Sequence, residues 1–128
     1  MMIVKTYLKE STIPGAGLGC FAAEFIPKDA LIWIFNPGLD RDLSEYQLLG
    51  FTKIEQEFVK THAYKHNGYY YLCVDNGRFI NHADSPNTYE SKRMQATFAL
   101  KDIQKDEEIL SNYTEFGVTP EDLKHNKL

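Results

Sequence analysis

Two cysteines, a single tryptophan and no apolar run near the ~20 residues of a bilayer span deprive several protein classes of support in this 128-residue sequence. Cys20 and Cys73 each lie inside an apolar stretch, which reads as two reduced core thiols and not as a disulfide framework. Two cysteines are also too few for a cysteine-only zinc site, and no metal site is expected. Basic residues are not in excess, since 14 Lys and Arg stand against 18 Asp and Glu for a net charge of -4. The electrostatic footprint of non-specific nucleic-acid binding is therefore missing, and a mildly acidic surface suits a lysine-rich protein partner better. Met1 to Lys5 carries no basic segment followed by a long apolar one, so the expected location is the cytoplasm, with no membrane partner.

Other absences concern chemistry. There is no Gly-x-Ser-x-Gly elbow, no Walker loop and no persuasive Cys and His nucleophile pair, which leaves hydrolase and kinase readings without a motif. His62 and His66 have the i, i+4 spacing of two metal ligands on one helix, but no Glu stands between them in the metalloprotease pattern. Two solvent-side histidines at a helix end are the plainer reading. No repeat, low-complexity stretch or long linker divides the chain, and 43% hydrophobic residues are enough for one core, so a single domain over 1–128 is expected.

What the sequence has is short β-like runs set off by Gly and Pro: Ile3 to Leu8, Cys20 to Ile26, Ala30 to Phe35, Tyr69 to Val74, Ala96 to Leu100 and Glu108 to Leu110. Between Asp40 and His66 the pattern turns helical. Ser44 with Gln47, and Thr52 with Glu55, have capping-box spacing and predict two short helices parted near Gly50. Thr119-Pro120-Glu121-Asp122 predicts a third start near the C-terminus. The class is α+β, mainly β.

Three clusters carry chemistry. Gly15-Ala16-Gly17-Leu18-Gly19 is no dinucleotide fingerprint, because residues 20–35 read as two β runs around Pro27 and supply no helix for a pyrophosphate. Its glycines either let backbone approach a ligand or make a plain turn. Asp75 to Asn87 is dense in hydrogen-bonding side chains; Asn81 can donate and accept at an adenine edge, while residue types alone favour turn-making for Asn81, Asp84, Ser85 and Asn87. Asp106 to Tyr113 is an acidic turn leading into a strand that ends on Tyr113, either a half-buried aromatic or a phenol placed to orient an amine. Tyr69, Tyr70 and Tyr71 offer further aromatic faces, which alternation distributes over both sides of a strand.

In this order the three clusters resemble the SET domain family of protein lysine methyltransferases, from about Tyr7 to Phe116. Gly15 to Gly19 is similar to the family's Gly-x-Gly element, Arg78-Phe79-Ile80-Asn81-His82 with Pro86-Asn87 to its Arg-Phe-x-Asn-His and Pro-Asn, and Glu107-Glu108-Ile109 to Tyr113 to its Glu-Glu-Leu element ending on the active-site tyrosine. The resemblance implies several small β-sheets with a C-terminal pseudoknot, a helical insert at about 40–66 walling the substrate groove, and a tail at 117–128. It further implies that Gly15, Ala16, Gly17, Leu18, Asn81 and His82 hold S-adenosylmethionine, that Tyr113 is catalytic, and that Tyr71, Tyr89 and Phe116 line a lysine channel. The implied reaction is methyl transfer to a lysine amine of a histone or other protein, leaving S-adenosylhomocysteine; a SET-like binding module without catalysis is the alternative. Ala83 stands where the family often has Ser. No cysteine-rich zinc segment flanks the motifs, as in minimal viral and bacterial members, so the tail or a second subunit of a homodimer is expected to close the channel. For a viral or effector member the location would be nuclear or in a host.

Overall fold

The computed structural model describes residues 1–66 and 68–116, and the terminal helix expected at Thr119–Asp122, like the whole tail 117–128, lies outside the described residues. Within them the strands are β1 (Thr6–Glu10), β2 (Leu18–Ala22), β3 (Leu31–Ile34), β4 (Arg41–Ser44), β5 (Tyr64–His66), β6 (Tyr69–Leu72), β7 (Asn81–His82), β8 (Thr88–Ser91), β9 (Ala96–Ala99) and β10 (Leu110–Ser111). They form four small sheets: β1-β2, β3-β9-β8, β4-β6-β5 and β10-β7. The expected α+β, mainly β class is what the structure has.

Both helices begin where their caps predict. Ser44 Oγ accepts the Gln47 N–H at 3.0 Å while Gln47 Oε1 accepts the Ser44 N–H at 2.9 Å, starting α1 (Glu45–Leu49). The Thr52 and Glu55 pair does the same at 3.2 and 2.9 Å for α2 (Lys53–His62). The helical region is narrower than expected, because Arg41–Ser44 and Tyr64–His66 are strands that flank β6. Both pair with β6 along their length, so tertiary pairing decides there and local propensity does not. Leu43, Leu48 and Val59 give this insert its own small core, with Phe51, Ala63 and Tyr70 against it. His62 ends α2 and His66 lies in β5, so the two histidines do not share a helix face.

The main core is built from Cys20, Ala22, Ile26, Ile32, Trp33, Cys73, Ala99, Ile103 and Ile109. Each fully buried isoleucine contributes roughly 1.5–3 kcal/mol of apolar burial. Both cysteines are free thiols in this core, where burial pushes the Cys20 thiol up to about 11 and the Cys73 thiol up to about 12. They act as small hydrophobic residues.

One connection sets the position of everything functional. β7 and β10 pair in parallel, Leu110 opposite Asn81 and Ser111 opposite His82. Two residues per strand are too few to hold a parallel pair alone, and side chains supply the rest. Asn87, 6% exposed, donates from Nδ2 to the Glu108 carbonyl at 2.8 Å and accepts the Leu110 N–H on Oδ1 at 2.9 Å. Thr88 Oγ1 donates to the Leu110 carbonyl at 2.8 Å. Residues 108–111 are thus gripped by 81–82 on one side and 87–88 on the other, the threaded arrangement expected for the C-terminal segment. Among the described residues no helix is long and apolar enough to cross a membrane.

Candidate functional site

The glycine segment between β1 and β2 is a loop with two left-handed residues, Gly15 at φ +77° and Gly17 at φ +76°. A Cβ at either position would meet nothing within 4 Å, so these glycines answer a backbone requirement and leave open space beside the chain. The loop is closed by the Ser11 N–H donating to the Gly17 carbonyl at 2.8 Å. Its base is held by Glu108, 6% exposed, whose carboxylate accepts from Ser11 Oγ at 2.8 and 2.9 Å, from the Thr12 N–H at 2.7 Å and from Thr12 Oγ1 at 3.1 Å. Gly19 makes room for that carboxylate, since a Cβ there would stand 3.0 Å from Glu108 Cδ.

The same loop is tied to β7. Asn81 Nδ2 donates to the Leu18 carbonyl at 3.0 Å, so part of the carboxamide expected at an adenine edge is spent on fixing the loop. His82 continues the chain of contacts: its Nδ1 accepts the Tyr113 N–H at 3.0 Å, which fixes the tautomer with the proton on Nε2, facing Asp84 Oδ1 at 3.1 Å. The His82 and Tyr113 rings lie 5.3 Å apart. Tyr113 opens the 3₁₀ turn Tyr113–Phe116, and its hydroxyl donates to the Ile80 carbonyl. Burial pushes the Tyr113 phenol well above its usual range, so it stays protonated at neutral pH.

Glycine loop, Asn81, His82 and Tyr113 therefore form one connected set around the parallel pair. The polar side chains of this set are the Asn81 carboxamide, which reaches the loop, and the His82 imidazole, which reaches the Tyr113 backbone, with the Glu108 carboxylate at the loop's base. That donor set fits an adenosine carrying a positive sulfonium, and among the described residues around it no basic cluster suits a phosphate. No group of described residues could hold a metal ion.

The three residues expected along a lysine channel separate. Tyr71 is buried in an aromatic cluster, stacked on Tyr64 with centroids 5.3 Å apart and edge-on to Phe35 at 5.4 Å. Phe116 closes the turn that Tyr113 opens, and its side chain lies outside what the structure describes. Tyr89 is not brought to them: its ring stacks on Phe98 at 5.5 Å and its hydroxyl donates to Asp29 at 3.2 Å. Alternation along β8 turns the next residue, Glu90, the other way, with its carboxylate on Thr97 and Ser111.

Glu108, Asn87 and Glu90 are residues of the site whose part in it sequence reasoning missed, Asn87 being read only as turn-making. The first two lie inside quoted motifs, but their task of bridging segments far apart in sequence has no local signature. Glu90 had no signal beyond its place beside Tyr89.

The sequence pattern of the SET domain family matches residues 17–114. Among solved structures, a Plasmodium falciparum protein provisionally named a histone methyltransferase is 25% identical, with TM-score 0.59, over 86% of this chain and 93% of that one. A chain of Chaetomium thermophilum Polycomb Repressive Complex 2, bound to an inhibitor, is 20% identical with TM-score 0.68, covering 95% of this chain and 17% of that one. The same complex in an autoinhibited conformation bound to S-adenosylmethionine is 20% identical with TM-score 0.67, covering 95% and 16%. This chain thus spans about a sixth of the polycomb chains it matches. No curated protein matches it by sequence.

Proposed function

The chain belongs to the SET domain family, and on that premise we propose that it transfers a methyl group from S-adenosylmethionine to the side-chain amine of a protein lysine. The observation that carries this reading is the joining of the Gly15–Leu18 loop, Asn81, His82 and Tyr113 around the β7 and β10 pair. When bound, S-adenosylmethionine supplies an electrophilic methyl on a positive sulfonium. Gly15, Ala16, Gly17 and Leu18 hold it by backbone, with Asn81 and His82 completing the cradle and S-adenosylhomocysteine as the product left there.

Tyr113 acts by geometry. Its hydroxyl proton is committed to the Ile80 carbonyl, which leaves the phenol oxygen to accept an N–H from the incoming amine and aim its lone pair. A phenol that stays protonated orients and does not serve as the base. Free lysine has a pKa of roughly 10.4, so the amine must lose a proton before it attacks. Tyr71 and the turn ending at Phe116 contribute walls whose apolar faces disfavour the charged form. The tail 117–128 or a second copy of the chain closes the channel, and the substrate is a lysine-bearing protein, a histone or another.

The test combines a thermal shift with labelled transfer. S-adenosylmethionine and S-adenosylhomocysteine are expected to raise Tm, and label is expected to pass from cofactor to lysine in a lysine-rich protein mixture. A shift without transfer would leave a binding module of the same fold. Absence of both overturns the proposal.

A further inference from the structure

A cleft lies between β5 and β8, lined by Tyr64, His66, Glu90, Ser91, Lys92 and Gln95 and floored by Ala96 of β9. The Tyr113–Phe116 turn packs on both of the strands that bound it. Tyr64 continues into the cleft the aromatic stack that Tyr71 begins. Tyr64 thus gives one wall a half-buried aromatic face, suited to the methylene stem of a lysine.

The carboxylate in this wall is that of Glu90. Its carboxylate takes hydrogen bonds from two neutral hydroxyls, Thr97 Oγ1 at 2.7 Å and Ser111 Oγ at 3.3 Å, and its backbone N–H donates to Glu115 of the tyrosine turn at 3.0 Å. Ser111 lies in β10, two residues before Tyr113, and its hydroxyl also meets Thr88 Oγ1 at 3.1 Å. The carboxylate is thus fixed from β9 and β10 by groups that hold it in place without neutralising it.

Resting on the lysine-methylation reading, we propose that Glu90 is the catalytic residue that takes the proton from the lysine ammonium entering through this cleft. The N–H bond of the ammonium breaks, its proton goes to a Glu90 carboxylate oxygen, and the freed nitrogen lone pair forms the new bond to the methyl carbon as the sulfonium's carbon–sulfur bond breaks. Glu90 then returns the proton to water before the next turnover. Burial, with the like charge of Glu115, pushes the Glu90 carboxyl up to about 7, against a smaller pull downward from Thr97 and Ser111. A carboxylate so raised accepts a proton from an amine far more readily than an ordinary one. The other ionisable groups facing it are Glu115 from the tyrosine turn, Tyr64 and His66 from β5, Cys73 following β6, and Lys92 at the end of β8.

The experiment is the pH dependence of methyl transfer to a lysine peptide library by the full chain, for wild type, Glu90→Gln and Glu115→Gln, with a thermal shift for cofactor binding on each. Wild type is expected to gain activity as pH rises through about 7, since the base must be ionised. Glu90→Gln is expected to lose that limb and about 100-fold in rate at neutral pH, the usual reach of a positioned base. Its deficit should shrink as pH approaches the lysine pKa of roughly 10.4, where the amine arrives already neutral. Glu115→Gln, by removing a like charge, is expected to move the wild-type limb to lower pH. A role in packing alone would give a deficit independent of pH and no shift in Glu115→Gln, and either result overturns the assignment. A wild type that binds cofactor but transfers nothing refutes the methylation reading as well, which separates that failure from one confined to Glu90.

Discussion

Truncating Glu108 to alanine is expected to weaken both the fold and cofactor binding. The carboxylate receives bonds from the Ser11 hydroxyl, the Thr12 N–H and the Thr12 hydroxyl at 2.7–3.1 Å. A hydrogen bond to a charged acceptor is worth about 1.5–3 kcal/mol, but Ser11 and Thr12 lie near solvent and rehydrate once the acceptor is gone. The net loss should be about 2–3 kcal/mol, which for a chain of this length lowers Tm by roughly 6–15 °C. The Gly15 to Leu18 loop keeps its own closure through Ser11 and Gly17, yet loses its anchor to the β10 segment. Cofactor affinity should therefore fall at least about tenfold, equivalent to about 1.4 kcal/mol. Calorimetric titration of S-adenosylhomocysteine with parallel thermal melts checks both quantities. A second substitution sharpens the test: Gly19→Ala places a methyl 3.0 Å from the Glu108 carboxyl in the wild-type background, but into vacated space beside Glu108→Ala. The pair should be strongly non-additive. Additive stabilities, or wild-type cofactor affinity in Glu108→Ala, would refute the role of Glu108 as the anchor of the loop.

Three further outcomes are expected. Tyr113→Phe should lower methyl transfer by about 100-fold while leaving the cofactor-induced rise in Tm, because only the group that orients the amine is lost. Gly17→Ala meets no steric obstacle, so its cost is the left-handed backbone alone, about 1–2 kcal/mol by thermal melt, and a loss well above that would point to contacts this loop does not have. Stability itself should depend on Glu90: the folded state holds that proton up to about pH 7 while the unfolded chain releases it near the ordinary carboxylate value of about 4.5, so stability falls as pH rises between the two. The full penalty above pH 7 is about 3 kcal/mol. Glu90→Gln should then be more stable than wild type at pH 8 and nearly equal to it at pH 4, read from denaturant melts, even as its activity drops.

The capping boxes were legible because Ser44 with Gln47 and Thr52 with Glu55 satisfy backbone donors within one turn, a purely local transaction. The longer strands around Cys20, Trp33, Tyr71 and Phe98 were legible as apolar runs bounded by turns, with ends that moved by a few residues. β4, β5 and β8 were not read as strands, and β7 only through the family resemblance, since Arg41–Ser44, Tyr64–His66, Asn81–His82 and Thr88–Ser91 are short and stabilised by partners distant in sequence. The pseudoknot came from family resemblance alone; the side-chain bonds of Asn87 and Thr88 that grip residues 108–111 have no sequence period. At the site, Gly17, Asn81, His82 and Tyr113 were found together, while Tyr89 and Glu90 show how a β-strand punishes a one-residue choice. Glu90 is the less conspicuous letter of the two and the one whose carboxylate reaches Ser111, two residues before the tyrosine.

The most direct measurement is intact and peptide mass spectrometry of a lysine-rich protein after incubation with the purified chain and S-adenosylmethionine. Methyl groups on lysine side chains, absent without cofactor and strongly reduced with Tyr113→Phe, are the predicted result. Unmodified lysines under wild-type enzyme, with cofactor binding shown by a raised Tm in the same sample, would contradict it.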